Sequence, residues 1–176
     1  MTLAKMSTSL DIRWSRPLPE GAEPTTVTVS RDAAGRWFVS LLCDDVVAPA
    51  PATANAVGID AGITSLLTLS TGEKVTNPKH ERRERVRLAR AQRQLSGKAK
   101  GSVNREKARR KVAGVHARIT DRRRGFLHKL TSRLVDENQV IAIEDLTVRN
   151  MVRNHTLARA ISDAAWRDLR MPVELM

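Results

Sequence analysis

The stretch Val57-Gly58-Ile59-Asp60-Ala61-Gly62-Ile63, together with the distant Val140-Ile141-Ala142-Ile143-Glu144, decides how this chain is read. Each is a short apolar run that ends on a carboxylate, the pattern of a strand delivering an acid to the edge of a core. The run 139–144 is apolar at successive positions, which suits a strand buried on both faces, as in an α/β layer. Working outward, Ser65-Leu-Leu-Thr-Leu-Ser, the turn Thr71-Gly72 and Glu73-Lys-Val-Thr76 extend the first run into a three-strand meander. Upstream, Thr26-Val-Thr-Val-Ser30 and Arg36-Trp-Phe-Val-Ser-Leu-Leu42 flank Asp32-Ala-Ala-Gly35, the alternation and turn of a β hairpin. Ala48-Pro-Ala-Pro-Ala-Thr-Ala54 is a linker, because its prolines cannot continue a sheet ladder. The expected organisation is therefore a β piece over 1–47, a linker over 48–56 and a second domain over 57–170 with a divergent tail at 171–176.

Between the two acid-bearing runs lies the most basic part of the protein. The 176 residues contain 31 Lys+Arg and 19 Asp+Glu, a net charge of +12. Residues 80–133 alone hold 19 of the former against 4 of the latter, so this segment carries +15 and the remainder −3. Ala108, Val112, Val115, Ile119, Phe126, Leu130 and Leu134 recur at helical spacing and predict a long amphipathic helix over 103–136. A shorter helix is expected over 79–95, with Ser96-Gly-Lys-Ala-Lys-Gly-Ser102 as the turn. The result is a basic helical hairpin inserted over about 79–136. Leu157, Ile161, Ala165 and Leu169 form one stripe of a further helix over 157–169.

This charge balance points to a polyanionic partner, nucleic acid first. Apolar runs are far shorter than the roughly 20 residues needed to cross a bilayer, and residues 1–10 have no apolar signal-peptide core, so no membrane partner and a cytoplasmic location are expected. Cys43 is the single cysteine, which excludes an intrachain disulfide and a Cys-x-x-Cys zinc site, so no zinc is expected.

Asp60 and Glu144, at comparable strand ends, are the candidate catalytic and metal-binding pair. Hard carboxylate oxygens favour Mg²⁺ or Mn²⁺, with a phosphodiester supplying further oxygens. The competing reading is that each acid merely ends its strand and faces solvent. Asp145 and Asp163 are weaker ligand candidates, the first because it points away from Glu144 on a strand and the second because it lies on a helix. Arg82, Arg83, Arg85, Arg87, Arg90, Arg93, Arg105, Arg109, Arg110 and Lys111 are the candidate nucleic-acid contacts, and the competing reading is a solvated helix face. Such contacts position a backbone without reading sequence. Trp14, Trp37, Phe38 and Trp166 are expected in core packing, with base stacking the alternative. His80, His116, His128 and His155 lack metal spacing and receive no role.

Gly58-Ile-Asp60-Ala-Gly-Ile63, Gly101-Ser-Val-Asn-Arg-Glu-Lys-Ala-Arg-Arg-Lys111, Arg122-Arg-Arg-Gly-Phe-Leu-His-Lys-Leu130, Ile143-Glu144-Asp145-Leu146, Asn154-His155 and Ala160-Ile-Ser-Asp-Ala164 resemble the TnpB family of transposon-associated proteins, which are similar to type V CRISPR effectors. The resemblance covers almost all of residues 10–170. It implies an α/β, RNase H-like (RuvC-like) mixed sheet of order 3-2-1-4-5, with Asp60 and Glu144 as the first and second metal-binding carboxylates. It also implies RNA-guided cutting of DNA, with guide-type RNA and DNA as partners.

The family continues through a zinc ribbon to a third catalytic aspartate, and this chain reads Arg170-Met-Pro-Val-Glu-Leu-Met176 instead. The expectation is a chain truncated at both ends, with the fifth strand absent, strand 139–144 left as an edge open to self-association, and cleavage incomplete although nucleic acid is bound. Two alternatives stand beside it: a working Mg²⁺-dependent nuclease completed by oligomerisation, and a basic nucleic-acid-binding module that never cleaved.

Overall fold

The computed structural model describes residues 7–15, 17–44 and 52–144. Its chain divides into two units, Met1–Arg31 with Trp37–Ala48, and Asp32–Arg36 with Pro49–Met176.

The first unit contains β1 (Pro24–Arg31) and β2 (Trp37–Cys43), antiparallel with Val27 opposite Leu41 and Val29 opposite Val39. β1 is exposed throughout and β2 alternates only from Phe38 onward, and Trp37 and Phe38 are exposed, as is Trp14, against the expectation of core packing. The reason is that a two-stranded ribbon has no second layer of its own to cover either face. Trp37 instead lies under the Arg31 guanidinium, 5.3 Å from the ring centroid, a cation–π contact across the ribbon end. Cys43 is a half-buried free thiol at the end of β2. Trp166 and His155 lie outside the described residues, as do Asp145, Asp163 and the helix expected over 157–169.

The connecting turn groups with the second unit. Gly35 has φ of 87°, a left-handed conformation that a side chain disfavours, and the Asp32 carboxylate accepts from the Arg36 backbone N–H at 2.8 Å. Arg36 also forms a forked ion pair with Asp121.

The second unit is a four-stranded sheet with two helices. Strands β3 (Ala56–Ala61), β4 (Ser65–Leu69) and β5 (Lys74–Thr76) form the expected antiparallel meander, and β6 (Val140–Ile143) joins β3 in parallel. The spatial order is β5-β4-β3-β6, so the two acid-bearing runs are neighbours in the sheet. Between β5 and β6 the chain forms α1 (His80–Ser96) and α2 (Val103–Glu137), within a residue of the helix limits expected from periodicity. Ser102 caps α2 by accepting from the Arg105 backbone N–H.

The core lies between one face of the sheet and the C-terminal half of α2. Val57, Ile59, Leu67 and Leu69 meet Leu127, Leu130 and Leu134, with Ile141 and Ile143 packed alongside. Helix α2 thus buries two successive stripes: Ala108, Val115 and Ile119 in its first half, and Leu127, Leu130 and Leu134 in its second. Leu127 is absent from the simple periodic reading because the stripe rotates where α2 leaves α1 and reaches the sheet. Thr131, fully buried among these leucines, is satisfied by donating its hydroxyl to the Leu127 and His128 carbonyls.

One expectation for the last strand needs correction. Val140 and Ala142 are exposed, and only Ile141 and Ile143 face the core. Among the described residues β6 ends the sheet, and α2 covers just one of its faces.

Candidate metal and nucleic-acid site

Strand alternation explains where the two carboxylates go. Val57 and Ile59 point at α2, so Gly58 and Asp60 occupy the opposite face. The parallel register pairs Gly58 with Ala142 and Ile59 with Ile143, and the Glu144 N–H donates to the Ile59 carbonyl at 3.4 Å. Asp60 and Glu144 therefore leave adjacent strands, about 4.8 Å apart by sheet geometry, at the same level and on the same face.

Both line one open depression of about 590 Å³, with Gly58, Thr68, Ser70 and Ala142 as its floor and rim. Both are exposed, so their charges remain hydrated and available to a cation. The Ser70 hydroxyl accepts from the Gly58 N–H at 3.0 Å and ties β3 to the end of β4 beside the site. Gly62 shapes the turn that follows Asp60. A Cβ there would meet the Ser65 carbonyl oxygen at 3.0 Å, tighter than ordinary contact, whereas one at Gly58 would meet Ser70 at an ordinary 3.6 Å.

Two carboxylates with room for further oxygens fit a hard divalent cation such as Mg²⁺ or Mn²⁺. No group of three or more His, Cys, Asp or Glu converges among the described residues.

The basic hairpin sorts its cations into two sets. Glu84, on the α2-facing side of α1, is 7% exposed. Its Oε1 accepts from Arg122 at 2.8 Å, while Arg87 and Arg118 approach its Oε2 at 3.5 Å. Burial pushes this carboxyl up, but Arg118, Arg87 and Arg122 outweigh burial and hold it below the usual carboxylate range. Arg105 is also engaged within the hairpin, donating to the Leu95 and Lys98 carbonyls at 3.2 and 2.9 Å and closing the end of α1. Arg109 has a long contact with Glu106, 3.9 Å. Arg82, Arg83, Arg85, Arg90, Arg93, Arg110 and Lys111 are exposed, and none has an ion-pair partner among the described residues. Of the ten sequence candidates, Arg87, Arg105 and Arg109 thus have partners within the hairpin, that of Arg109 at long range.

Sequence reasoning missed Glu84. Its signal was present as one of two acids, with Glu81, on an otherwise basic helix, in phase with Leu88, Ala91 and Leu95.

A depressed carboxyl stabilises the fold above its ordinary value of 4.5, and that contribution is lost as pH falls through the lowered one. Glu84→Gln is accordingly expected to lower the melting temperature at neutral pH more than Arg87→Gln does. It should also flatten the wild-type loss of stability below pH 4.5, both read by circular dichroism melts across pH.

A mixed sheet of order β5-β4-β3-β6, with two acids at the ends of its parallel pair, is compatible with an RNase H-like fold. Residues 25–155 match the family described as "Probable transposase", OrfB_IS605, and the chain belongs to this family, that of the TnpB-type proteins.

Among its relatives, a protein of Streptomyces pristinaespiralis named "Putative RNA-guided DNA endonuclease" is 76% identical over 174 residues, 99% of this chain and 43% of the relative. InsQ of Escherichia coli K12, similarly named, is 36% identical over 160 residues, 82% of this chain and 40% of its own. A Mycobacterium tuberculosis protein with the same style of name is 32% identical over 120 residues, 62% of this chain and 26% of its own. The chain thus spans less than half the length of each of these relatives. No helix among the described residues is long and apolar enough to cross a membrane.

Proposed function

We propose that this chain forms part of an RNase H-like, RuvC-type nuclease that acts on DNA under the direction of an RNA. In this reading the basic hairpin holds nucleic-acid backbone, while Asp60 and Glu144 bind Mg²⁺ or Mn²⁺. The observation that carries the proposal is the register of β3 and β6, which sets the two carboxylates side by side on the open face of the sheet. The names borne by the relatives support the same activity. A divalent ion at such a pair supplies Lewis-acid stabilisation of a phosphodiester and a more acidic bound water. The protein's own part is to fix two oxygen ligands on rigid strands and to leave the depression open to a strand of nucleic acid.

The described residues bring two carboxylates to this site, which by themselves leave each ion short of fixed oxygen ligands. Binding without cutting is therefore the expected behaviour of this chain by itself. The test uses purified protein with its co-purifying RNA retained, incubated with labelled single- and double-stranded DNA in Mg²⁺ or Mn²⁺, beside Asp60→Ala and Glu144→Ala. Salt-sensitive binding with no cutting in any sample supports the proposal. Cutting that disappears in both variants would show a complete site and overturn the expected incompleteness, while absence of binding would overturn the function itself.

A further inference from the structure

Helix α1 presents a patterned outer face that neither its packing nor the ion-pair network explains. At 3.6 residues per turn, Glu84, Leu88, Ala91 and Leu95 share the side toward α2, where Glu84 and Ala91 are buried and Leu88 and Leu95 half-buried. On the opposite side Val86 is 80% exposed. Helical phase puts Arg82 and Arg93 on one flank of Val86 and Arg83 and Arg90 on the other. All four are exposed and have no ion-pair partner among the described residues, whereas Arg87 of α1 and Arg118 and Arg122 of α2 are held by Glu84.

The two rows run about 16 Å and about 10 Å along the axis, and with its side chains the helix is about 10–12 Å across. That breadth matches the roughly 12 Å major groove of B-form DNA. Because α2 backs the helix, α1 is placed to lie along a groove with one row on each rim. Val86, between the rows, has no side-chain donor or acceptor for a base edge.

Resting on the nucleic-acid reading above, we infer that the outer face of α1 is a sequence-independent clamp for a nucleic-acid duplex, in which Arg82 and Arg93 contact the phosphates of one strand and Arg83 and Arg90 those of the other. Glu84 is a positioning residue. It gathers Arg87, Arg118 and Arg122 toward the helix interface and thereby fixes the rotation at which α1 presents its rows.

The test compares wild type, the single-row variants Arg82→Gln/Arg93→Gln and Arg83→Gln/Arg90→Gln, and the combined four-residue variant. Binding is measured over a salt series to a DNA duplex, an RNA–DNA duplex and a single strand of equal length, with folding checked by circular dichroism. Wild type is expected to bind both duplexes with steep salt dependence. Each row should remove about two units from the slope of log affinity against log salt, and both rows about three to four. The single strand, which engages one row, should lose about half as much in the four-residue variant. Changing duplex sequence should leave affinity within about threefold, since phosphate contacts do not read bases.

Unchanged duplex slopes in correctly folded variants would overturn the clamp while leaving nucleic-acid binding by the chain intact. An equal loss on single strand and duplex would overturn the two-strand assignment. Absence of binding by wild type would overturn both the clamp and the broader function. If the four-residue variant does not fold, the single-row variants give the same decision from their separate slopes.

Discussion

If Asp60 and Glu144 hold the metal as proposed, Asp60→Asn and Glu144→Gln are each expected to weaken Mn²⁺ binding by about 100-fold or more, as read by isothermal titration calorimetry or the paramagnetic relaxation of bound Mn²⁺. The magnitude follows from the donor set. Changing an outer-shell partner of a metal ligand typically costs about 10- to 100-fold in affinity, and in the proposed site these substitutions would remove a charged ligand oxygen outright. Because both residues line the open face of the sheet and neither packs in the core, the fold should remain. The decisive feature is that the two variants behave alike. The register sets them side by side, and if they are two halves of one site, as proposed, the double variant should be little weaker than either single one. Tight Mn²⁺ binding that survives both substitutions would move the metal elsewhere and end the assignment of these carboxylates.

The second large effect lies on the other face. Leu134→Ala is expected to destabilise the second unit by about 2–5 kcal/mol, the range for a large-to-small change in a close-packed core. Leu134 is fully buried, as is Leu67, and both belong to the cluster that joins α2 to the sheet. In urea the midpoint should fall with little change of slope, which separates lost stability from a changed unfolded state. Against total stabilities of about 5–15 kcal/mol for ordinary domains, such a loss is a large share of the whole and raises the unfolded population by about 30-fold or more. Ser70 and Arg133 brace the same sheet from outside the core: Ser70 by its bond to Gly58, and Arg133 through a forked ion pair to Glu73. A midpoint unmoved by Leu134→Ala would mean that α2 contributes little to holding the sheet.

The sequence by itself determined the elements, because apolar period and turn chemistry are local. Alternation set the hairpin, Thr71-Gly72 set the β4–β5 turn, and helical spacing set α1 and α2 to within a residue. It also singled out Asp60 and Glu144, since an acid closing an apolar run is visible in one dimension.

What only the tertiary structure decided was pairing and phase. The parallel register of β3 and β6 turns two distant acids into neighbours across more than eighty residues of chain. The rotation of the α2 stripe brings Leu127 into the core, although no single helical period marks it. The burial of one glutamate among three arginines divides a uniformly basic segment into cations that hold the hairpin together and cations that face outward. Charge along a sequence carries no direction. An arginine's role depends on which carboxylate or carbonyl the fold brings within about 3 Å, and that distance exists only once the helices have packed.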